Sequence, residues 1–359
     1  MSLIPSLSFI FLACLGLNSL IIVTQKYHGF LTNDYNHGPQ KIHTSSIPRV
    51  GGVSIFITLI LTFFVIDIFW GQEKKNFSET ILILILISTP SFFVGLLEDL
   101  LKDISIFLRF FASICVGLIA IFLFEITLPV TNIAKIDYYI DFVPIVVLFT
   151  LFFFTGLINS INLIDGVNGL STFFAILTLF AISRITISVD DYYNYIFVLI
   201  IIANLFGFLF INWFSGLIFL GDSGAYLIGV ILAFITSKVL LDNNLSMFNI
   251  FTLFVYPIWE ISYSILRRFL NGANILRPDK GHLHSLIYIF VKKKICNTHI
   301  FAMNFLPTLF LMPLIILGPI LTIFIYEKPK ILAFSFFSIY IFYIIFYKIL
   351  DRKIKNLFI

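Results

Sequence analysis

The sequence predicts an all-α fold, a polytopic membrane helical bundle of about 11 transmembrane helices. The 359 residues are 60% hydrophobic and only 12% charged, with a mean hydropathy of +1.05. A water-soluble fold of this length needs more charge to cover its surface, so the excess apolar surface must face lipid. No Pro/Gly/Ser-rich linker or clear internal repeat divides the chain. We therefore expect residues 1–359 to form a single domain.

The spans follow from apolar runs that approach the roughly 20 residues needed to cross about 30 Å of hydrocarbon. The first run has no basic segment before it and no small-residue cleavage site, so we interpret it as a retained span rather than a signal peptide. The predicted spans are 3–23, 53–70, 80–97, 106–124, 142–158, 170–188, 195–213, 224–241, 248–266, 301–325 and 331–347.

The placement of Lys and Arg predicts the orientation in the membrane. We number the loops from the segment that follows the first span. Cations concentrate in the odd-numbered loops and the C-terminal segment, whereas the even-numbered loops hold only Lys74, Lys75, Lys135, Lys328 and Lys330. By the positive-inside rule, the odd-numbered loops face the cytoplasm and the N-terminus lies outside.

Loop one combines cations and glycines just before a helix start. Lys41 and Arg49 precede Gly51 and Gly52. This pattern suits an anionic ligand, because free N–H groups and the helix dipole favour phosphate at a helix start. A basic loop that contacts lipid headgroups is the alternative.

Loop three opens with two adjacent carboxylates at the end of an apolar span. Glu98 and Asp99 are followed by Lys102 and Arg109. Such carboxylates are costly at a membrane boundary unless cations or a metal pair with them. A functional site explains them, and a plain salt bridge to Lys102 at the helix end is the alternative.

Loop five carries amides and a carboxylate at spacings of three, namely Asn159, Asn162, Asp165 and Asn168. Positions three apart share one face of a helix, so Asn159, Asn162 and Asp165 are expected to point into one cavity. Amide and carboxylate oxygens are hard ligands of the kind that Mg²⁺ accepts. Polar capping of two membrane helices is the alternative.

Loops seven and nine add further polar residues. Asp222 lies between glycines at a predicted helix start, where it fits either an N-cap or a metal ligand. Loop nine is basic and contains Arg277, Asp279, His282 and His284. No third histidine or cysteine lies at zinc-ligand spacing, so these histidines indicate phosphate contacts.

All five motifs fall on odd-numbered loops, although they are scattered over most of the chain. One span more or fewer between any two of them would place them on opposite faces. The sequence therefore predicts a single polar site on the cytoplasmic face, as phosphoryl transfer between a cytosolic donor and a lipid would require.

Taken together and in this order, the motifs resemble the polyprenyl-phosphate N-acetylhexosamine-1-phosphate transferase family, of glycosyltransferase family 4 type, over nearly the whole chain. The His282-Leu283-His284 form is closer to the undecaprenyl-phosphate N-acetylglucosaminyl-1-phosphate transferase-like branch than to the peptidoglycan-precursor branch, which usually carries three consecutive histidines. Three positions depart from the family pattern: Glu98 and Asn168 stand where members usually have Asp, and Ser285 replaces a histidine common at its position.

The resemblance implies transfer of N-acetylhexosamine-1-phosphate from a UDP-sugar to undecaprenyl phosphate, with release of UMP. This would be the first membrane step of a bacterial surface glycan such as O-antigen. The enzyme would lie in the bacterial cytoplasmic (inner) membrane with its active site facing the cytoplasm. Its partners would be the two substrates and the lipid bilayer, without nucleic acid, and a homodimer is compatible with the resemblance.

The resemblance also assigns roles to individual residues. Mg²⁺, with Mn²⁺ as an alternative, would be held by Asn162 and Asp222, and Asp99 would orient or deprotonate the lipid phosphate. The implied catalytic residues are Asp99, Asp165, Asp222 and His282. The implied substrate-binding residues are Lys41, Arg49, Glu98, Lys102, Arg109, Asn159, Asn168, Arg277, Asp279 and His284.

Two other functions fit parts of the sequence. The first is a phospho-N-acetylmuramoyl-pentapeptide transferase of peptidoglycan synthesis, from the same family. The second is a transporter, which should carry polar or helix-breaking residues near mid-span. The mid-spans here consist mainly of Ile, Leu and Phe, which disfavours the transporter.

Overall fold

The computed structural model describes residues 3–34, 46–70, 75–128, 130–140, 142–272, 274, 279, 281–294 and 300–356. These residues form a bundle of α-helices, which confirms the predicted all-α membrane fold. The strands found among them are β1 (Asn33–Asp34) and β2 (Ile47–Pro48), which pair antiparallel.

The helices follow one another along the chain with short connections. They are α1 (Leu3–Thr32), α2 (Gly51–Trp70), α3 (Lys75–Leu101), α4 (Ile106–Phe124), α5 (Ala134–Ile140), α6 (Val143–Ile164), α7 (Leu170–Ser188), α8 (Tyr192–Ser215), α9 (Gly221–Asp242), α10 (Phe248–Leu253), α11 (Val255–Leu270), α12 (Leu283–Lys294), α13 (Ile300–Ile315), α14 (Leu317–Ile325) and α15 (Pro329–Asn356).

Over the described part of the chain, nine helical stretches are long and apolar enough to cross a membrane, and the Gly51–Ile66 part of α2 is a shorter apolar helix. The chain is a multi-pass membrane protein. Each predicted span coincides with helix, but the ninth is divided at Phe254 and the tenth at Ile316. The predicted count of eleven spans stays a prediction.

Helix α9 forms the centre of the bundle. It packs against α2, α3, α6 and α7, and 89% of its most apolar window is buried. Apolar residues lie on all its sides, as expected for a helix surrounded by other helices. By contrast, only 17% of the corresponding window of α1 is buried, so most of that helix is free to face lipid. The N-terminus of α9 therefore lies where several elements meet.

The start of α2 is joined by backbone hydrogen bonds to the segment that precedes α9. The Phe219 N–H donates to the Pro48 carbonyl, and the Gly51 and Gly52 N–H groups donate to the carbonyls of Phe219 and Leu220, each at 2.9 Å. These two N–H groups are therefore not free to bind an anion, whereas the predicted phosphate-binding roles of Lys41 and Arg49 stay predictions. The pairing instead fixes the backbone on both sides of Arg49 beside the start of α9.

Loop nine contains a helix that the sequence did not predict. Helix α12 begins one residue after His282, ends with Lys292, Lys293 and Lys294, and packs against α13 and α15. It is not among the candidate membrane spans. His282 and His284 thus lie at the first turn of a short helix outside the spans.

Candidate active site

Asp99 caps the N-terminus of α9 from the end of α3. Its side chain is fully buried and accepts hydrogen bonds from the N–H of Asp222 at 2.8 Å, the N–H of Ser223 at 2.9 Å and the Ser223 hydroxyl at 2.6 Å. The first N–H groups of a helix have no partner within it, and a carboxylate is favoured there by the helix dipole. Asp99 supplies the cap that we had considered for Asp222.

The Asp222 carboxylate faces two arginines. Arg49 Nη2 bonds to its Oδ1 atom, and Arg109 Nη1 lies 3.3 Å from Oδ2. Arg49 also contacts Asp99, with its Nε 3.4 Å from Oδ1. Loops one, three and seven therefore meet in one cluster of charges, as the sequence predicted, although Arg109 belongs to the first turn of α4.

Gly221 allows this close approach. Its φ is +76°, in the left-handed region that favours glycine. A Cβ atom added there would lie 2.5 Å from Asp99 Oδ2. A side chain at this position would therefore displace either the capping carboxylate or the backbone of α9.

Glu98 and Lys102 lie at the edge of the cluster. Glu98 Oε2 accepts a hydrogen bond from the Ile104 N–H at 2.8 Å, and its Oε1 lies 3.8 Å from Arg109. Lys102 follows the end of α3, and its Nζ donates to the Asn33 carbonyl at 2.5 Å. Lys102 thus links the end of α3 to β1, and both side chains remain accessible enough to meet a ligand.

The residues predicted on loop five occupy the end of α6 and the turn after it. Asn159 donates to the Ser113 hydroxyl at 3.1 Å, whereas the Nδ2 atom of Asn162 is buried without a partner among the described residues. The carbonyl of Asn168 accepts from Thr308 at 2.8 Å. Asn159 and Asn168 thus contact neighbouring helices, and Asn162 keeps unused hydrogen-bonding capacity.

Asp165 is electrostatically coupled to the charged cluster. Burial raises its pKa to about 8, and the carboxylates of Asp222 and Asp99 add to this effect while Arg49 partly offsets it. The raised pKa of Asp165 therefore comes mainly from burial of its carboxyl group, and repulsion from the other two carboxylates is a smaller contribution.

Gly166 joins loop five to loop nine. A Cβ atom added at Gly166 would overlap the ring of His284, including its Nε2 atom. Since Gly166 follows Asp165 directly, this contact places the His284 ring close to Asp165, whose pKa is raised in part by the Asp222 carboxylate. All five motifs were predicted to meet on one face, and this contact joins the motif of loop nine to that of loop five.

His284 is buried and stacks on His282, with ring centroids 5.4 Å apart and an interplanar angle of 4°. Burial lowers the pKa of His284 to about 4, and the charge that His282 can carry lowers it further while Glu260 opposes the shift. His284 is therefore neutral at physiological pH and contacts its neighbours as an uncharged ring.

Asp279 is held by the arginines at the end of α11. Arg267 bonds to its Oδ2 atom, Arg268 Nε lies 3.4 Å from the same atom, and the Gly281 N–H donates to Oδ1 at 3.0 Å. Burial alone would raise the pKa of Asp279, but the Arg267 and Gly281 hydrogen bonds lower it to about 2. This carboxylate joins Gly281, directly before His282, to the end of α11.

Glu260 is a site residue that the sequence reasoning missed. It lies within α11, its side chain is 1% exposed, and its Oε1 atom is 3.2 Å from His282 Nδ1. The signal was available, because a carboxylate in an apolar span is costly without a partner. Glu260 is an exception to the mainly Ile, Leu and Phe composition of the predicted spans.

Two predicted substrate-binding residues, Lys41 and Arg277, lie outside the described residues. Their roles stay predictions.

The chemistry of the cluster fits a hard divalent cation. Mg²⁺ is usually held by one or two carboxylates together with substrate phosphates, and Asp222 and Asn162 offer one carboxylate and one amide. Within the described ranges, no group of three or more His, Cys, Asp or Glu side chains is arranged to hold a metal without a substrate. The predicted metal ligands are thus suitable in type, and Asp222 accepts hydrogen bonds from Arg49 and Arg109.

Comparison with known proteins supports the resemblance stated above. The model of glycosyl transferase family 4 matches residues 81–240, which include the motifs of loops three, five and seven. A probable undecaprenyl-phosphate N-acetylglucosaminyl 1-phosphate transferase of Bacillus subtilis (strain 168) is 26% identical over 262 residues, covering 70% of this chain and 68% of the relative.

Two further relatives match similar fractions of this chain. An undecaprenyl-phosphate alpha-N-acetylglucosaminyl 1-phosphate transferase of Thermotoga maritima is 28% identical over 255 residues, or 71% of each chain. A phospho-N-acetylmuramoyl-pentapeptide-transferase of Staphylococcus aureus (strain MSSA476) is 27% identical over 289 residues, or 74% of this chain and 84% of the relative. Residues 81–240 are thus similar to glycosyl transferase family 4, and 70–74% of the chain is similar to these three transferases.

Proposed function

We propose that the protein transfers N-acetylhexosamine-1-phosphate from a UDP-sugar to undecaprenyl phosphate and releases UMP. The observation that carries the proposal is the cluster in which Arg49 and Arg109 contact Asp222 while Asp99 caps the same helix. The names of the Bacillus subtilis and Thermotoga maritima relatives support the substrate class.

In this reaction an oxygen of the lipid phosphate attacks the β-phosphorus of the UDP-sugar. The bond from that phosphorus to the oxygen bridging it to the α-phosphorus breaks, and UMP leaves with the bridging oxygen. The transfer forms a lipid-linked pyrophosphate that carries the sugar. Catalysis of phosphoryl transfer depends mainly on positioning and on offsetting negative charge.

The residues of the cluster suit these tasks. The guanidinium groups of Arg49 and Arg109 present several N–H donors that match phosphate oxygens. Asp222 and Asn162 would hold Mg²⁺, which when bound would offset the negative charge of the pyrophosphate. We propose that His282 and His284, at the start of α12, belong to a second group of residues that contacts phosphate, which Gly166 joins to Asp165.

The geometry changes the role that we propose for Asp99. All the hydrogen bonds described for its two oxygens serve the start of α9 and Arg49, and its side chain is fully buried. A carboxylate saturated in this way is poorly placed to take a proton from the lipid phosphate. We propose that Asp99 acts by orienting Asp222, and that the more accessible Glu98 faces the lipid phosphate.

A second donor is favoured by one specific observation. The Staphylococcus aureus relative, a phospho-N-acetylmuramoyl-pentapeptide-transferase, is matched over 84% of its length. The muramoyl-pentapeptide donor is therefore the runner-up to a simple UDP-N-acetylhexosamine. The motif His282-Leu283-His284 favours the simple donor, because the peptidoglycan branch usually carries three consecutive histidines.

The test is an assay of the purified protein with undecaprenyl phosphate and labelled UDP-N-acetylglucosamine, with either Mg²⁺ or EDTA. We expect labelled lipid with Mg²⁺ and background with EDTA. Parallel reactions use UDP-N-acetylgalactosamine and the UDP-muramoyl-pentapeptide donor. Labelling only with the pentapeptide donor would replace the simple donor by the runner-up, and no labelling with any donor would refute the proposed activity.

A further inference from the structure

Glu260 ties together three helices around the first turn of α12. Its Oε1 atom accepts a hydrogen bond from the Leu283 N–H at 3.0 Å and lies 3.2 Å from His282 Nδ1, and its Oε2 atom accepts from the Tyr343 hydroxyl at 2.9 Å. Glu260, Tyr343 and His282 are 1%, 1% and 6% exposed. A buried carboxylate is costly unless such partners satisfy it, so its contacts fix it in place.

The contacts also define which nitrogen of His282 carries the proton. A carboxylate next to Nδ1 makes that nitrogen the donor. On the other side of the ring, Arg268 Nη2 lies 3.5 Å from Nε2, and a guanidinium group can only donate. Both neighbours therefore favour the neutral tautomer with Nδ1 protonated and a lone pair on Nε2.

We propose that Glu260 is a positioning residue, which holds the His282 ring with Nδ1 protonated so that the Nε2 lone pair accepts a hydrogen bond from Arg268 and orients that guanidinium group toward the phosphate of a bound substrate. The proposal rests on the proposed function, in which the residues around His282 contact phosphate. Glu260 itself touches no substrate, because it lies behind the ring. Partners that orient a functional histidine in this way typically change activity by about 10- to 100-fold when they are lost.

Three variants separate positioning from simple packing. Glu260→Met keeps the length of the side chain but removes the acceptor. Glu260→Gln keeps an acceptor oxygen for Nδ1 and Leu283 and offers its amide to the Tyr343 oxygen. Tyr343→Phe is the matched control, since it removes a bond to Glu260 of similar length while leaving the His282 contact intact.

The experiment is ¹⁵N NMR of the protein labelled on its six histidines, with the signals of His282 assigned by their loss in His282→Asn. Near pH 8 we expect a protonated Nδ1 and an unprotonated Nε2 in the wild type, in Glu260→Gln and in Tyr343→Phe. In Glu260→Met we expect a mixture in which some rings carry the proton on Nε2, since only the 3.5 Å contact with Arg268 then favours protonation of Nδ1. A wild-type ring protonated only on Nε2 overturns the proposal even if Glu260→Met fails to fold.

Turnover gives the second readout. We expect Glu260→Met to lower kcat/KM at least tenfold, Glu260→Gln to restore much of the loss and Tyr343→Phe to stay within about twofold of the wild type. Equal losses in Tyr343→Phe and Glu260→Met would show a packing role and contradict the proposal. If the wild type transfers no sugar-phosphate yet shows the expected tautomers, the proposed function fails and the assignment of Glu260 to the His282 tautomer stands.

Discussion

The Asp99 carboxylate accepts a hydrogen bond of 2.8 Å from the backbone N–H of Asp222, a residue 123 positions further along the chain. One carboxylate thereby fixes the direction in which the other points. The side chain of Asp222 is left free to meet Arg49 and Arg109. The cluster is thus organised by a helix cap that comes from a different helix.

The first prediction concerns Asp99→Asn. The amide would present an N–H₂ group to backbone N–H donors, which leaves at least one buried group unsatisfied and costs about 1 to 3 kcal/mol of stability. We expect a lower melting temperature together with a large loss of activity. Glu98→Gln is the control for stability, because Glu98 lies at the edge of the cluster. If Asp99→Asn loses activity but keeps the wild-type melting temperature, Asp99 acts directly on the substrate instead.

The second prediction concerns the metal. Asp222→Ala and Asn162→Ala should each abolish Mg²⁺-dependent activity while the protein stays folded in detergent. Binding of Mn²⁺ in the presence of the UDP-sugar, measured by electron paramagnetic resonance, should weaken in both variants. Normal turnover in either variant would contradict the assignment of these two ligands.

The third prediction concerns the junction between loops five and nine. Gly166→Ala would push the methyl group into the ring of His284, so we expect a loss of activity on the order of tenfold or more with little change in expression. Gly156→Ala is the matched control, since an added Cβ at Gly156 meets no atom within 4 Å. Equal activity of the two variants would show that the His284 ring is not needed in its present position.

The fourth prediction concerns pH and stability. The pKa of His284 is lowered to about 4 in the folded protein, while its ordinary value is 6.5. Between these values the unfolded state binds the proton and the folded state does not, so stability falls as the pH drops from about 6.5 to 4. The limiting slope is about 1.4 kcal/mol per pH unit.

His284→Gln removes this titration. We expect the difference in melting temperature between pH 7 and pH 5 to be smaller in His284→Gln than in the wild type, as measured by differential scanning fluorimetry in detergent. An equal difference in the two proteins would mean that His284 is already accessible to protons in the folded state.

Much of the fold could be predicted from the sequence, because apolar length and charge placement report directly on membrane spans. The bounds of α4 and α7 coincide with predicted spans. Helix α12 could not be predicted in the same way, because its loop is basic and its apolar run, residues 286–291, is too short to suggest a span. The breaks at Phe254 and Ile316 have no marker as clear as a change in hydropathy.

The sequence could predict which residues belong to the site but not which of them contact one another. Residue types and loop parity brought Arg49, Asp99 and Asp222 to one face, whereas the cap that links Asp99 to Asp222 depends on how α3 packs against α9. The same holds for Glu260, which has a partner only because α12 places His282 beside α11. Contacts between residues far apart in the chain carry no local signal in a single sequence.

The most direct test of the central claim follows the β-phosphorus of the donor. UDP-N-acetylglucosamine labelled with ³²P at the β position is incubated with the purified protein, Mg²⁺ and undecaprenyl phosphate, and the lipid and aqueous phases are separated. We predict that the label moves into the lipid phase in step with the release of unlabelled UMP. Retention of the label in aqueous UDP while sugar enters the lipid would show transfer of the sugar alone, and would contradict the account.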